Sequence, residues 1–345
     1  MTNWNGISVN NNDKARAILL KRFSPMDGIG QDLRGVASYE EAMSKAKLDY
    51  TVEKKPLFLE NGKRLENNYA NVIAETDSVL SVMGKDYTIL NNMEAFRVAE
   101  DIVSKGEGTY ETGGPSIGAK KTIDYGKSFL IVRHDDFQIF DDSYNSFTIF
   151  NNSFDGSSGF QAYFANLRLC CMNGVVRYFA NMSKKVLPKF YIQHSKNAQE
   201  RLQVVGDMLQ KQRDYLACIA KEAEILATTK FSKSEFQKEI IPMVLKEMKL
   251  IKENKEENEE RQRGQGRIEE TILRLTSAYE ASDVQNFNNT AYKVLLTMAD
   301  FESHNEPFRN TNNPQTYFNR LLQGMVLTNV TVNHIIKTRN IMFNR

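Results

Sequence analysis

The sequence predicts an α+β protein, a twisted antiparallel β-sheet packed with a helix and followed by a mainly helical C-terminal region, on three observations. Tyr87-Thr-Ile-Leu-Asn-Asn-Met-Glu-Ala-Phe96, followed by Tyr110-Glu-Thr-Gly-Gly114, reads as strand, helix and glycine turn within one unit. Between about residues 50 and 160, short β-prone runs alternate with Gly, Asp and Asn, the rhythm of a sheet built from hairpins. Beyond Pro188, apolar residues recur at helical intervals among charges.

Residues 1–35 form an N-terminal arm: a short cationic amphipathic piece, Asp13-Lys-Ala-Arg-Ala-Ile-Leu-Leu-Lys-Arg22, then a turn-rich stretch through Pro25, Gly28 and Gly30. Residues 36–190 make the α+β core. Ser38 precedes Glu40-Glu41-Ala-Met-Ser-Lys-Ala46, where a hydroxyl before early carboxylates starts a helix by accepting amide hydrogens that have no partner in the first turn. Tyr50-Thr-Val-Glu53 and Leu57-Phe-Leu59 are strand-like, and Glu60-Asn-Gly-Lys63 supplies a turn that tolerates left-handed backbone. Val72-Ile-Ala74 and Ser78-Val-Leu-Ser-Val82 continue the meander. From Asn91 to Val103, Met93, Phe96, Ala99 and Val103 share one helical face behind an asparagine cap. β-prone runs at 108–112, 127–133, 137–140 and 146–151 follow, and Phe154-Asp-Gly-Ser-Ser-Gly159 turns the chain into the run that starts at Phe160.

Residues 191–345 make the helical region. Leu202, Val205, Leu209, Leu216 and Ile219 mark its first helix, and Ile240, Val244 and Leu250 lead into a charged connector near 250–267, a solvated stretch that Gly264 and Gly266 interrupt. Ile268 to Tyr279, Asn289 to Phe301 and Thr316 to Met325 read as closing helices.

Charge narrows the function classes. The 345 residues, roughly two ordinary domains, carry 45 Lys and Arg against 43 Asp and Glu, a net charge of +2. No global field draws nucleic acid or membrane, so any basic surface must be local. Apolar runs such as Phe129-Leu-Ile-Val132 fall far short of the ~20 residues of a spanning helix, and no membrane partner is expected. The start, Met1-Thr-Asn-Trp-Asn-Gly6, lacks the charged and apolar regions of a leader, which predicts a cytoplasmic location. Cys170, Cys171 and Cys218 have neither disulfide nor zinc spacing and read as reduced thiols. No cofactor and no metal are expected.

Three constellations bear on chemistry. Glu111-Thr-Gly-Gly-Pro-Ser-Ile-Gly-Ala-Lys-Lys121 fails the phosphate-loop and dinucleotide spacings; it reads as a hairpin turn, or as a loop that offers Lys120 and Lys121 to a nucleic-acid backbone. Arg133-His-Asp-Asp136, Asp141, Asp142 and His194 hold the atoms of a divalent-ion site, yet paired aspartates beside short strands are ordinary turn residues. Basic residues interleaved with aromatics are more telling: Arg168, Arg177-Tyr178-Phe179, Lys184-Lys185 and Lys189-Phe190-Tyr191. Cations can neutralise phosphates while rings stack on the bases of a single strand; the other reading puts Tyr178, Phe179, Phe190 and Tyr191 in the core.

The order of segments resembles the phage/plasmid-like proteins of domain-of-unknown-function family 932. The matching pieces are Ser38-Tyr-Glu-Glu-Ala42, Leu48 to Leu57, Asp77 to Gly84, Tyr87, Asn91, Glu94-Ala-Phe96, Tyr110 to Gly114, Asn152-Ser-Phe-Asp-Gly-Ser157, Arg168 to Asn173 and Ile192-Gln-His-Ser195, spanning about residues 36–225. Pro115 and Ile117 depart from the family pattern. The resemblance implies a phage, prophage or plasmid setting close to replication and recombination, inside a bacterial host cell. A more distant similarity, at the level of fold, runs to single-strand annealing proteins of the Red-beta, RecT and Rad-fifty-two type.

The expectation is a non-enzymatic, homo-oligomeric phage or mobile-element protein that binds single-stranded DNA and promotes strand annealing. Lys120, Lys121, Arg133, Arg168, Arg177, Lys184, Lys185 and Lys189 would neutralise phosphates, and Tyr178 and Tyr191 would stack. One alternative is an interaction protein that blocks a host defence or recruits a replication partner through its C-terminal helices. A metal-dependent nuclease built on Asp135, Asp136, Asp141 and His194 is the third.

Overall fold

The computed structural model describes residues 2–4, 7–9, 29–117, 123–140, 142–168, 189–203, 220–248, 250, 261–281, 286–302 and 326–341. Within the arm, β1 (Thr2–Trp4) and β2 (Ile7–Val9) pair antiparallel, and β3 (Gln31–Asp32) joins a larger sheet. Ser38 starts α1 (Tyr39–Lys45) in the expected way, its hydroxyl accepting the Glu41 amide at 3.2 Å. β4 (Val52–Phe58), β5 (Arg64–Ile73) and β6 (Val79–Gly84) form a three-stranded antiparallel sheet. Its first hairpin turns at Gly62, where φ is +79°.

α2 (Asn92–Ala95) and α3 (Arg97–Ser104) occupy the predicted single helix, which breaks at the fully buried Phe96. Asn91 stands at the cap position without capping. Its side-chain oxygen instead accepts the Val52 amide at 2.8 Å, and its amide group faces the Val52 carbonyl at 3.4 Å. A side-chain amide offers the donor and acceptor of a peptide group, so Asn91 extends the pairing at the start of β4.

The remaining strands are β7 (Thr109–Ile117), β8 (Ile123–Arg133), β9 (Phe137–Ile139), β10 (Asp142–Ser153), β11 (Phe160–Arg168) and β12 (Lys189–Ile192). They build a seven-stranded sheet in the order β12-β11-β10-β8-β7-β3, with β9 beside the start of β10. The expected glycine turn at Gly113-Gly114 is continuous strand, paired with Leu130 and Phe129. Close approach, rather than turning, requires glycine at 113 and at 30: a Cβ on Gly113 would lie 2.9 Å from the Leu130 side chain, and one on Gly30 would lie 2.5 Å from the Gly113 carbonyl oxygen. The edge strand β3 can therefore lie against β7.

The large sheet is buried on both faces. Leu130, Val132, Phe150 and Ala162 join Met43, Phe96, Ala99 and Ile102 from α1 to α3 in one hydrophobic cluster. Phe129, Ile131, Phe147 and Ile149 alternate with them along the strands and are also buried. An unbroken apolar run such as Phe129-Leu-Ile-Val132 is what a strand covered on both sides needs.

The helical region comprises α4 (Ala198–Gln203), α5 (220–228), α6 (Lys233–Glu235) running through a π-helical turn (Phe236–Ile240) into α7 (Ile241–Glu247), α8 (Arg261–Tyr279), α9 (Ala291–Asp300) and α10 (Val326–Thr338). α8 runs straight through Gly264 and Gly266, which were expected to interrupt the chain; each costs about 1 kcal/mol relative to alanine, and the long helix absorbs it. The predicted helix at Thr316–Met325 lies outside the described residues, while α10 had no predicted counterpart. Its Val, Thr and Asn content disfavours helix locally, but Leu327, Val332 and Ile335 are buried and the Glu302 carboxylate caps it, accepting the Leu327 and Thr328 amides at 3.0 and 2.9 Å. Helices and sheet share one core: the hydrophobic cluster continues through Phe236, Leu275, Leu295 and Ile335, and the buried hydroxyls of Tyr144 on β10 and Tyr292 on α9 meet at 2.9 Å.

Candidate nucleic-acid interface

β12 is the edge strand of the large sheet and carries two of the predicted residues. Tyr191, paired with Gln161, is 50% exposed, whereas its neighbour Phe190 packs against the hydrophobic cluster. Strand alternation thus divides the two readings of this aromatic pair, one ring in the core and one at the surface. Lys189 stands opposite Tyr163, and Arg168, at the end of β11, stands opposite Tyr144. Arg133 ends β8 on the sheet face that Tyr191 shares, as the row Tyr191, Gln161, Asn151, Phe129 shows. Strand rise and spacing separate the two by roughly 20 Å. The Arg133 guanidinium is held by the Asp136 carboxylate at 3.1 and 3.3 Å, and Asp136 also accepts the Asn145 amide group at 2.7 Å. Lys120, Lys121, Arg177, Tyr178, Lys184 and Lys185 lie outside the described residues, as do Asp141 and the three cysteines.

Both histidines of the imagined ion site are interior. His134 is clamped between the Glu107 carbonyl and the Thr148 hydroxyl, each at 2.7 Å. His194 donates from Nδ1 to the Thr88 carbonyl at 3.2 Å and stacks on Tyr87 at 5.1 Å. Burial lowers the pKa of both rings and keeps them neutral. Among the described residues no three His, Cys, Asp or Glu side chains converge.

The motif residues Asn91, Asn92, Asn152 and Phe154 meet in a polar joint between the two sheets. The Asn152 amide group donates to the Leu90 carbonyl at 2.9 Å and to the Asn92 side-chain oxygen at 3.1 Å, and that oxygen also accepts the Ser128 hydroxyl at 2.7 Å. From the small sheet, Asn71 and Ser81 donate to the Phe154 carbonyl at 3.1 and 2.5 Å. Buried polar groups favour hydrogen-bonded partners, and the two bonds to the Phe154 carbonyl tie the small sheet to the large one, while Asn71 Oδ1, Asn92 Nδ2 and Asn152 Oδ1 find no partner among the described residues.

One exposed ring beside a cation lies outside the residues that the sequence singles out. At the β4–β5 hairpin tip, Phe58 is 59% exposed and stands directly opposite Arg64. That register depends on an irregularity between Pro56 and Leu57, which no local sequence signal announces.

An antiparallel sheet with helices on one face, an exposed aromatic on its edge strand and a smaller sheet hung from it by a polar joint define an α+β protein that presents surface rather than a cleft of convergent ionisable groups among the described residues. The chain belongs to the family known as Domain of unknown function (DUF932), whose model matches residues 79–322. The match begins at β6 and extends past α9, so it takes in closing helices that the sequence resemblance left out and leaves the β4–β5 hairpin outside. No curated protein and no solved structure matches the chain. No helix among the described residues is long and apolar enough to cross a membrane.

Proposed function

We propose that this is a phage or mobile-element protein of the host cytoplasm that binds single-stranded DNA and promotes strand annealing as a homo-oligomer. The observation that supports it best is Tyr191, half-exposed on the edge strand β12. An exposed ring stacks on any base, and cations within reach of the strand neutralise its backbone. In this reading Lys120, Lys121, Arg133, Arg168, Arg177, Lys184, Lys185 and Lys189 meet phosphates, with Tyr178 and Tyr191 as stacking platforms. A near-neutral chain gathers enough cations for a polyanion by lining up equivalent grooves in an oligomer.

Fluorescence anisotropy at two salt concentrations tests the reading. Single-stranded oligonucleotides bind more tightly than duplex, affinity falls steeply with salt, and changing Lys184, Lys185 and Lys189 to Glu abolishes binding. Absence of binding at low salt overturns it. A second reading, docking of a partner protein on the C-terminal helices, is favoured by Leu273 on α8, which is 67% exposed beside the partly exposed Ile272.

A further inference from the structure

We infer that the tip of the β4–β5 hairpin is a contact site for single-stranded nucleic acid, in which Phe58 stacks on a base and Arg64 and Lys63 hold the flanking phosphates; this rests on the proposed function and extends it to a part of the chain outside the family match.

The geometry is that of a small stacking platform. Phe58 and Arg64 are cross-strand partners, so ring and guanidinium project from the same face of the ribbon. Leu59 and Lys63 follow at the turn, where the Leu59 amide bonds the Lys63 carbonyl at 2.9 Å. Phe58, Leu59, Lys63 and Arg64 are all exposed. Three other cations on this sheet and beside it are engaged. Lys55 is bonded to Asp77, Lys54 reaches the Lys85 carbonyl at 3.0 Å and lies over the Tyr69 ring, and Lys127 meets Asp155 at 3.2 Å. Arg64 and Lys63 form no ion pair among the described residues, although Glu60 and Glu66 are close in sequence.

The occupant follows from what the tip offers and withholds. An exposed ring beside an uncommitted guanidinium matches a base next to its phosphate. A peptide adding to the sheet edge would need a free ladder of backbone groups, and β4 denies it with Pro56, which has no amide hydrogen, and with the irregularity that follows. Two exposed apolar side chains at a tip are also too few for the desolvated centre of a protein interface.

The test compares the full-length chain with Phe58→Ala, Arg64→Ala and Phe58→Trp, using a fluorescently labelled oligo(dT) at low salt. Phe58→Ala lowers affinity about tenfold, the effect of losing one stacked base, and Arg64→Ala both weakens binding and flattens its salt dependence. The Phe58→Trp variant, which adds a second tryptophan to the lone Trp4, keeps near wild-type affinity, and its emission is quenched by unlabelled oligo(dT). Unchanged circular dichroism and melting temperature exclude a folding effect. Wild-type affinity in Phe58→Ala, together with an unquenched Phe58→Trp, overturns the hairpin site while leaving the proposed function standing. A wild-type chain that binds no oligonucleotide overturns both. Binding to anionic vesicles that depends on Phe58 and is not relieved by oligo(dT) assigns the tip to a lipid surface and overturns it too.

Discussion

The two sheets of this protein use the same strand chemistry to opposite ends. In the large sheet both faces are covered, and Phe129, Leu130, Ile131 and Val132 on consecutive positions of β8 are all buried. In the small sheet the central β5 buries Ala70 and Val72, but the edge strand β6 exposes Val79 and Val82, and the β4 end exposes Phe58. A sheet packed on both sides is a scaffold whose residues are chosen for fit, whereas a sheet packed at one end is a lever whose free end can be spent on contact. The polar joint through Asn71, Ser81, Asn92 and Asn152 lets one carry the other without sharing a hydrophobic core across the whole small sheet.

The strongest way to break this contrast is to empty the scaffold. Phe150, on the helix-covered face of β10, is 1% exposed and stacks near Phe160 at 6.2 Å. Phe150→Ala is expected to cost about 3–5 kcal/mol, measured by urea denaturation. Because sheet and C-terminal helices share one cluster, far-ultraviolet circular dichroism and near-ultraviolet signals should shift together; two separate transitions would show that the helices have a core of their own.

Titration sharpens the contrast at an intermediate scale. On the covered side, Glu222 of α5 is 5% exposed, its Oε2 has no hydrogen-bond partner, and burial pushes its pKa up from 4.5 to about 8. The folded chain keeps this proton while the unfolded chain releases it, so the stability it lends is full below pH 4.5 and is lost as pH rises toward 8, by at most about 1.4 kcal/mol per pH unit. His134 and His194, with lowered pKa values, act the other way, and their contribution is lost as pH falls below 6.5. Glu222 alone among the three therefore governs the window from pH 6.5 to 8. Wild-type stability is expected to fall by roughly 1–2 kcal/mol across that window, and Glu222→Gln to flatten the slope; an unchanged slope in the variant would remove Glu222 as its cause. The small sheet has no such group, since Lys55, paired with Asp77 and Glu53, stands in solvent.

The smallest effect belongs to the open face. Val82→Thr, at a position 56% exposed on a strand edge, should change stability by no more than about 0.5 kcal/mol. A loss several times larger would mean that this face is covered in the assembled protein.

Several elements were legible because their signals are local. The Ser38 cap, the turn at Gly62 and the β-prone run at 127–133 each follow from neighbouring residues obeying rules of backbone geometry and periodicity. The misreadings share the opposite character. Gly113 and Gly114 read as a turn because glycine permits one, and only the packing of Leu130 against β7 shows that the missing Cβ of Gly113 is what matters. Asn91 looked like a cap because nothing in the sequence reveals that Val52 lies beside it. α10 carries no local helix signal, because its β-branched residues disfavour helix until burial and the Glu302 carboxylate outweigh propensity.

The amino-acid sequence by itself determined the α+β class, the alternation of strands and the site of most turns, since these depend on contacts within a few residues. Tertiary structure alone decided which aromatic is core and which is surface. Phe190 and Tyr191 are equivalent as letters, and a strand turns one inward and one outward only once its sheet has an inside. It also decided that Phe58 faces Arg64: a shift of register at Pro56 sets that pairing, and register is a relation between strands that neither strand specifies alone.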